Sequence, residues 1–325
     1  MLNFSYTITQ KIKANLDTFE AKRASILLTP ISPKHELTLR WTTMRDRVYY
    51  SLALANNPLS KKEITTLLTR QPIGFENTKK ITRRQRQALR YRQAIEHIRH
   101  EWLVTKKKVT ITEIVKLNKL ATKGSLQVEE KVLTELVEYL QTEENVIIKS
   151  LIAHNQLKSL NAFTQGNSRT ARLLTLLILY KHGLDMRGAI DLDEYFYDNL
   201  SVYMRIGQIA QGEHNLTSWL EFATTALVSN ADAVREKVEK WAESDSELST
   251  GDDTHEIPDT FWRLTERQKH IISLLDQPLT TLTNRKVQKY FKISQITASR
   301  DLAKLTTLGI LLTHGKGRSV YYTRA

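Results

Sequence analysis

Apolar side chains recur every three or four residues along most of this chain, a spacing that predicts amphipathic helices. Only 11 Gly and 6 Pro occur among its 325 residues, and because these are the main helix breakers, long helices are expected. Helices are predicted in the first 70 residues on either side of a loop at Leu28–Lys34, with Ser60 and Glu63 forming a capping box. Beyond them the spacing predicts helices at Lys79–Trp102, Thr110–Ala121, Glu129–Thr142, Glu144–Ser159, Thr170–Gly183, Asp191–Ala210 and Thr217–Ala242.

The pattern changes between residue 259 and the C-terminus. Thr265 and Thr283 are placed to cap two short helices, and Ser294 begins a third helix that ends at Gly309. Apolar and polar residues then alternate on both sides of Gly315–Arg318, which predicts two strands joined by a tight turn. Three helices followed by a hairpin predict a small α/β winged helix-turn-helix, an architecture used to bind DNA.

Four segments are therefore predicted in a mainly α chain. Residues 1–109 form an N-terminal helical region and residues 110–242 a helical core. Residues 243–258 are acidic, rich in Ser, Thr and Asp, and without apolar periodicity, so they are interpreted as a linker. Residues 259–325 form the winged helix-turn-helix domain.

The formal net charge of +13 is concentrated in two segments. Lys79–Lys108 contains 11 Lys or Arg and two acidic residues, and residues 259–325 contain 12 Lys or Arg and four acidic residues. The remainder of the chain is therefore net negative. A basic run alone can be a solvated surface, but the second segment coincides with the helix-turn-helix, which favours double-stranded DNA as a partner.

Several classes of protein are disfavoured by composition. The chain has no Cys, which excludes disulfides and thiolate metal sites. Its N-terminus lacks the apolar core of a signal peptide, and its longest apolar run, Leu173–Tyr180, is too short to span a bilayer. A soluble cytoplasmic protein without a membrane partner is expected.

The third helix of the C-terminal domain is predicted to be a recognition helix. One stripe of it is apolar and expected to be buried, at Ile293, Ala298, Leu302, Leu305 and Leu308. Polar residues on its other faces are expected to contact DNA, at Gln295, Thr297, Arg300 and Lys304. Gln and Arg suit bidentate contacts with adenine and guanine, and Lys316 and Arg318 at the hairpin tip suit phosphate or the minor groove.

Two alternatives for this domain stay open. It could serve protein contacts or dimerisation without binding DNA, and Arg300 could form a surface ion pair with the adjacent Asp301.

The segment NAFTQGNSRTARLL, from Asn161 to Leu174, resembles the Fic family signature HPFxxGNGRxxR. The family motif is matched at Phe163, Gly166, Asn167, Arg169 and Arg172. The resemblance extends over roughly Leu37–Ala242, so it identifies the predicted core as a Fic-like domain. It implies a motif loop between two helices and, for the family, transfer of AMP from ATP to a hydroxyl side chain.

Two departures from the motif concern its chemistry. Asn161 replaces the histidine that serves the family as general base, and Gln165 replaces its acidic metal-binding residue. A carboxamide accepts no proton near neutral pH, and a general base contributes typically about 10²–10⁴-fold in rate. A neutral amide oxygen is also a weak substitute for a carboxylate that holds magnesium. No catalytic residue, no metal and no required cofactor are therefore expected.

The phosphate-binding half of the motif is retained. A helix N-terminus with Gly before it binds anions, and the resemblance assigns phosphate contacts to the arginines. Nucleotide or anion binding, with ATP as one candidate, is expected at Gly166, Asn167, Ser168, Arg169 and Arg172. Arg169 and Arg172 could equally form an ion pair with a nearby carboxylate.

Two further segments depart from the family. SLALANN, Ser51–Asn57, aligns with the family's inhibitory SxxIEGN and places Ala55 at the position of its glutamate. The substrate-docking flap is reduced to a short segment around Gly124, and His154 is expected to have a packing role.

The leading hypothesis is an inactive Fic protein that acts as a DNA-binding transcriptional regulator, with the helical body used for dimerisation or sensing. The alternatives are a Fic-type adenylyltransferase with a non-standard active site, and an interaction module that binds and blocks a protein target.

Overall fold

The computed structural model describes residues 3–57, 59–70, 81–246, 264–275, 281–315 and 317–324. Helices dominate these ranges, so the predicted mainly α class is confirmed. The first part of the chain forms α1 (Gln10–Leu28), α2 (Pro33–Ala53), α3 (Lys61–Arg70), α4 (Arg83–Trp102), α5 (Ile111–Ala121), α6 (Glu130–Tyr139), α7 (Val146–Leu160), α8 (Asn167–Lys181), α9 (Asp193–Asp198), α10 (Leu200–Glu213) and α11 (Thr217–Ser246).

The helix α8 lies at the centre of the helical body. Every side chain from Thr170 to Tyr180 is buried, because α7 packs along one side of α8 while α4 and α5 cover others. The most apolar run of the sequence is therefore core. Within the described ranges, no helix combines the length and the apolar character needed to cross a lipid bilayer.

The C-terminal part folds around a core of its own. It forms α12 (Glu266–Ser273), α13 (Asn284–Phe291), α14 (Gln295–Thr307), β1 (Leu311–His314) and β2 (Tyr321–Arg324). The two strands pair antiparallel. Thr265, Thr283 and Ser294 each accept a hydrogen bond from a backbone N–H of the helix that follows. The two predicted caps and the winged helix-turn-helix fold are confirmed, and Ser294, predicted as the first residue of its helix, is the cap of that helix.

The C-terminal domain meets the helical body along α4. Gly309 follows α14 with φ +72°, and a Cβ there would lie 2.6 Å from Nη1 of Arg99 in α4. A groove of about 620 Å³ separates α4 and α5 from the two strands, with His100 on one wall and His314 on the other. The C-terminal end of α14 therefore faces the helical body.

Several predicted helix boundaries differ from the structure. The single helix predicted at Asp191–Ala210 is two helices, because the backbone of Asn199 leaves the helical region with φ −111° and ψ 37°. The helix after the motif begins at Asn167 instead of Thr170. The last helix of the body continues four residues beyond Ala242, to Ser246, and the rest of the predicted linker, from residue 247, lies outside the described residues.

Only part of the first basic segment, Lys79–Lys108, is exposed at the surface of the described residues. Arg92 is 1% exposed, and Arg99 pairs with the buried Glu96 at 3.1 Å. Lys106–Lys108, beyond the end of α4, are exposed, while Lys79 and Lys80 lie outside the described residues. Part of the positive charge of this segment therefore lies inside the helical body.

Candidate functional site

The motif loop connects α7 to α8, and the side chain of Asn167 forms hydrogen bonds across it. Asn161 ends α7 with φ +46°, and Gly166 precedes α8 with φ +79°. Asn167 Oδ1 accepts from the Phe163 N–H at 2.8 Å, and its Nδ2 donates to the Phe163 carbonyl at 2.7 Å. Nδ2 also donates to Oδ1 of Asn161 at 2.6 Å. The side chain of Asn167 is therefore used to fix the loop.

Asn161 occupies the position that the sequence comparison assigned to the general base. Its amide oxygen accepts from Asn167, and its carbonyl oxygen accepts from Gln127 Nε2 at 2.7 Å. Because a carboxamide does not accept a proton near neutral pH, this side chain can orient neighbours but cannot activate a hydroxyl group.

A short segment before α6 lies against the motif loop. The Gln127 N–H donates to the Ala162 carbonyl at 2.9 Å, and the Thr164 N–H donates to the Ser125 carbonyl at 3.0 Å. Leu126 and Phe163 form an isolated antiparallel bridge between these two bonds. This segment includes Gly124, around which the reduced flap was predicted, and it holds the loop by backbone pairing.

Gln165 is oriented by Thr122. Its Nε2 donates to the Thr122 carbonyl at 3.2 Å, and its own carbonyl accepts from Asn118 Nδ2 at 2.9 Å. Among the described residues, no cluster of three or more His, Asp or Glu side chains is placed to hold a metal ion. Mg²⁺ bound with nucleotide phosphates is usually held by one or two protein carboxylates, and the neutral amide of Gln165 is a weak substitute for one.

The side of Gly166 on which a Cβ would project is filled by protein. A Cβ there would lie 2.3 Å from Cγ2 of Thr122. Thr122 is itself fixed by a hydrogen bond from its Oγ1 to the Asn118 carbonyl at 2.9 Å. Only Gly is compatible with both the positive φ and this close approach.

Arg172 is buried and donates hydrogen bonds to protein groups through Nε and Nη2. Its Nε donates to Ser51 Oγ and to Asp193 Oδ2, both at 3.1 Å, and its Nη2 donates to the Ser51 carbonyl at 3.0 Å. Burial alone would lower the pKa of Arg172, but Asp193, Tyr91 and Tyr203 together raise the pKa above its ordinary value. Of the two roles that the sequence left open, Arg172 adopts the internal ion pair in this structure.

The space beside this ion pair is small. Arg172, Asp193 and His154 line a cavity of about 20 Å³, which is room for one water molecule and not for a phosphate group. Burial raises the pKa of Asp193, and the neighbouring Arg172 partly offsets that rise.

Arg169 differs from Arg172 in having a free donor. Its Nη1 is buried and has no hydrogen-bond partner, and burial followed by the charge of Arg172 lowers its pKa. No side chain caps the N-terminus of α8, where Gly166, Ser168 and Arg169 are half-buried. Of the five predicted anion-binding residues, these three leave donors available at a helix N-terminus.

His154 packs inside the body. It is 1% exposed, its Nε2 lies 3.1 Å from Tyr203 Oη, and its ring packs against Trp219. Burial lowers the pKa of His154 well below its ordinary value, so the ring is neutral. His154 therefore has the packing role that was expected from the sequence.

The predicted DNA-contacting residues of α14 differ in exposure. Gln295 and Arg300 are exposed, while Thr297 and Lys304 are half-buried. The Thr297 hydroxyl lies 2.9 Å from Ser294 Oγ. Gln295 and Arg300 are therefore the most accessible of the four.

The alternative pairing of Arg300 with Asp301 is wrong. Asp301 is buried, and it accepts from Arg267 Nε at 2.5 Å and from Gln268 Nε2 at 2.9 Å. Since both partners lie on α12, Asp301 ties the recognition helix to the domain core while Arg300 points away from it.

The hairpin tip is described in part. Gly315 has φ +78°, and a Cβ there would lie 2.4 Å from the Ser319 carbonyl oxygen, so the turn requires glycine. Lys316 lies outside the described residues, and so does the side chain of Arg318.

Sequence reasoning missed several residues that shape these sites. Asn118 donates hydrogen bonds to both Gln165 and Thr170. A polar residue on the otherwise apolar stripe of α5 was the feature of the sequence that could have identified it. The role of Asp193 had no local signal, because its partner Arg172 lies 21 residues away. Ile296, which is 65% exposed on α14, was also overlooked.

Two family models match the chain. Residues 83–179 match the Fic/DOC family, and residues 267–324 match the DeoR-like helix-turn-helix domain. The Fic match begins at the start of α4, inside the region that the sequence analysis assigned to N-terminal helices. No curated protein sequence is matched.

Solved structures of Fic proteins share the fold. A Fic family protein from Desulfovibrio desulfuricans G20 is 16% identical, with TM-score 0.57 over 98% of this chain and 97% of that one. Residues 134–508 of Fic-1 from C. elegans are 18% identical, with TM-score 0.54 over 69% of this chain and 71% of that one. A Fic domain containing signaling protein from Bacteroides thetaiotaomicron VPI-5482 is 16% identical, with TM-score 0.53 over 71% of this chain and 98% of its own. The chain therefore carries a Fic/DOC family domain at residues 83–179 and a DeoR-like helix-turn-helix domain at residues 267–324.

Proposed function

We propose that this protein is a DNA-binding transcriptional regulator whose Fic domain does not transfer nucleotide. The proposal rests on two features found together in one chain. The recognition helix has exposed polar residues, and the motif loop has Asn161 at the position of the family's general base. The helical body then acts as a dimerisation or sensor domain for the DNA-binding domain.

The arrangement of α14 supports DNA reading. Ala298, Leu302 and Leu305 are buried in the domain core, and Gln295 and Arg300 are exposed on other faces of the same helix. A recognition helix presents its N-terminal turns to base edges in the major groove. The Gln amide suits adenine and the Arg guanidinium suits guanine, so both exposed residues have the chemistry of direct readout.

The motif loop supports the absence of transfer. Asn161 offers no basic group, Gln165 offers a neutral amide in place of a carboxylate, and Arg172 is held by Ser51 and Asp193. A phosphoryl or nucleotidyl transfer site depends on metal ions and on cationic groups that are free to contact phosphates.

Anion binding without transfer is the second part of the proposal. The uncapped N-terminus of α8 and the unpaired Nη1 of Arg169 supply donors and positive charge in one place. The part of a nucleotide that fits these groups is a phosphate.

The DNA-binding part is tested with the full-length protein. A random duplex library is selected for bound sequences, and the affinity for the selected duplex is measured as a function of salt concentration. We expect the logarithm of the association constant to fall linearly with the logarithm of salt, with a slope of about −0.9 per phosphate neutralised. We also expect Arg300→Ala to weaken binding by about 1–3 kcal/mol.

Arg235→Ala is the matched control, because Arg235 is a partly exposed arginine on α11 of the helical body. It removes the same charge and should leave DNA affinity unchanged. Failure to enrich any duplex, or equal affinity for wild type and Arg300→Ala, would contradict DNA reading by α14.

A further inference from the structure

Ile296 is the most exposed large apolar side chain among the described residues of the C-terminal domain. It is 65% exposed, compared with 55% for Tyr290 and 38% for Tyr321. An isoleucine side chain stabilises a protein when it is buried. Because it is β-branched, isoleucine is also not a favoured residue in helices. Neither packing nor helix propensity therefore accounts for isoleucine at this position.

The place of Ile296 on α14 is the relevant observation. It is the second residue of the helix, it follows Gln295, and Arg300 lies four positions later on the same face. Ala303 and Thr306 line the groove toward the helical body, so the C-terminal half of α14 is turned toward that body. The N-terminal turn, with Gln295 and Ile296 exposed, is the part left free for a partner.

The major groove offers one apolar feature on a base edge, the C5-methyl group of thymine. Gln295 beside Ile296 has an amide suited to adenine, and adenine is paired with thymine. A neighbouring pair of residues with these two chemistries matches an A·T base pair or adjacent A·T pairs.

We propose that Ile296 is a specificity-determining residue that contacts a thymine C5-methyl group in the major groove. This inference rests on the proposed DNA-binding function and adds to it the base recognised by the first turn of α14. It assigns a role to a side chain that contributes little to the packing of the domain.

The test uses the full-length protein and the duplex obtained by selection. Each thymine is replaced in turn by deoxyuridine, which removes only the C5-methyl group, and the dissociation constants of wild type and Ile296→Ala are measured by fluorescence anisotropy. At one thymine of the selected duplex, wild type should lose about fourfold in affinity, equivalent to about 0.8 kcal/mol for one buried methyl group. Ile296→Ala should be insensitive to the replacement at that same position.

Leu28→Ala is the control variant, because Leu28 is 82% exposed at the end of α1 in the helical body. It should keep the deoxyuridine sensitivity of wild type. Ile296→Ala should keep the wild-type melting temperature, because the side chain packs against little in the free protein, and this separates lost readout from lost folding.

Three outcomes of these experiments would contradict the thymine assignment. Selected DNA that is bound with equal deoxyuridine sensitivity by wild type and Ile296→Ala would overturn the thymine assignment and leave the proposed function intact. Self-association that Ile296→Ala abolishes, with DNA binding unchanged, would assign the residue to a protein interface instead. Absence of any sequence-selective DNA binding would overturn the proposed function and this inference with it.

Discussion

Nη2 of Arg172 donates to Oγ of Ser51 at 2.8 Å and to the carbonyl oxygen of Ser51 at 3.0 Å. These bonds join α8 to the C-terminal turn of α2, and Asp193 completes the set with an ion pair at 3.1 Å. The second motif arginine thus belongs to the hydrogen-bond network of the helical body. Its replacement should therefore affect folding.

Arg172→Met should lower the free energy of unfolding by about 3–5 kcal/mol, because it leaves the buried Asp193 carboxylate without its cationic partner. Urea unfolding followed by circular dichroism measures the change. Arg169→Met is the matched control, and it should change stability by less than about 1 kcal/mol because Nη1 of Arg169 already lacks a partner. Equal losses for the two variants would contradict the difference between the two arginines.

Gly166→Ala should destabilise the motif loop. Residue 166 has φ +79°, which costs an L-residue about 1–2 kcal/mol, and the new Cβ would overlap Thr122. Gly212→Ala is the opposite case, because Gly212 lies within α10 with nothing within 4 Å of its added Cβ. It should stabilise the protein by about 0.5–1 kcal/mol. Thermal unfolding of both variants measures the two changes in stability. A melting temperature that shifts in the same direction in both variants would contradict the prediction.

Adjacent residues of α14 should respond differently to substitution. Asp301→Ala should destabilise the C-terminal domain by about 1–3 kcal/mol, because Arg267 and Gln268 lose a buried acceptor. Arg300→Ala should leave stability within about 0.5 kcal/mol, because the side chain is exposed. Unfolding curves for the two variants, read beside their DNA affinities, test whether Asp301 supports the helix while Arg300 reads DNA.

Lys158 should titrate far below an ordinary lysine. Burial, followed by the charge of Arg172, lowers its pKa from 10.5 to about 8. Between about pH 8 and 10.5 the unfolded chain holds a proton at this residue that the folded protein lacks, so its contribution to stability should increase with pH across that window. NMR titration of the dimethylated amine measures the pKa, with Lys158→Met used to assign the signal. A midpoint near the ordinary lysine value would show that the amine is solvated.

The parts of the fold that could be predicted depend on local pattern. Apolar spacing located α4, α5 and α7, and the Thr and Ser caps fixed the starts of α12, α13 and α14 because a cap involves residues only three apart. The break at Asn199 was missed because it is a change of backbone angles at one residue, φ −111° and ψ 37°, inside an apolar pattern that continues on both sides.

The candidate site was harder to predict where it depends on distant pairing. The motif loop was located from its own residues, and Asn167 holds it through contacts four and six residues away. The partner of Arg172 is Ser51, 121 residues earlier, and the choice between an anion contact and an internal ion pair was not encoded locally. The exclusion of Arg300 from pairing with Asp301 likewise depends on α12, whose two donors lie 33 and 34 residues before Asp301.

The most direct test of the proposed function is incubation of the full-length protein with α-labelled ATP and Mg²⁺, followed by measurement of label on the protein itself and on other proteins. The proposal predicts incorporation no higher than that of heat-denatured protein, because Asn161 accepts no proton near neutral pH and Gln165 carries no negative charge for a metal ion. Robust labelling that Arg169→Met abolishes would contradict the proposal and would establish the Fic domain as an active transferase.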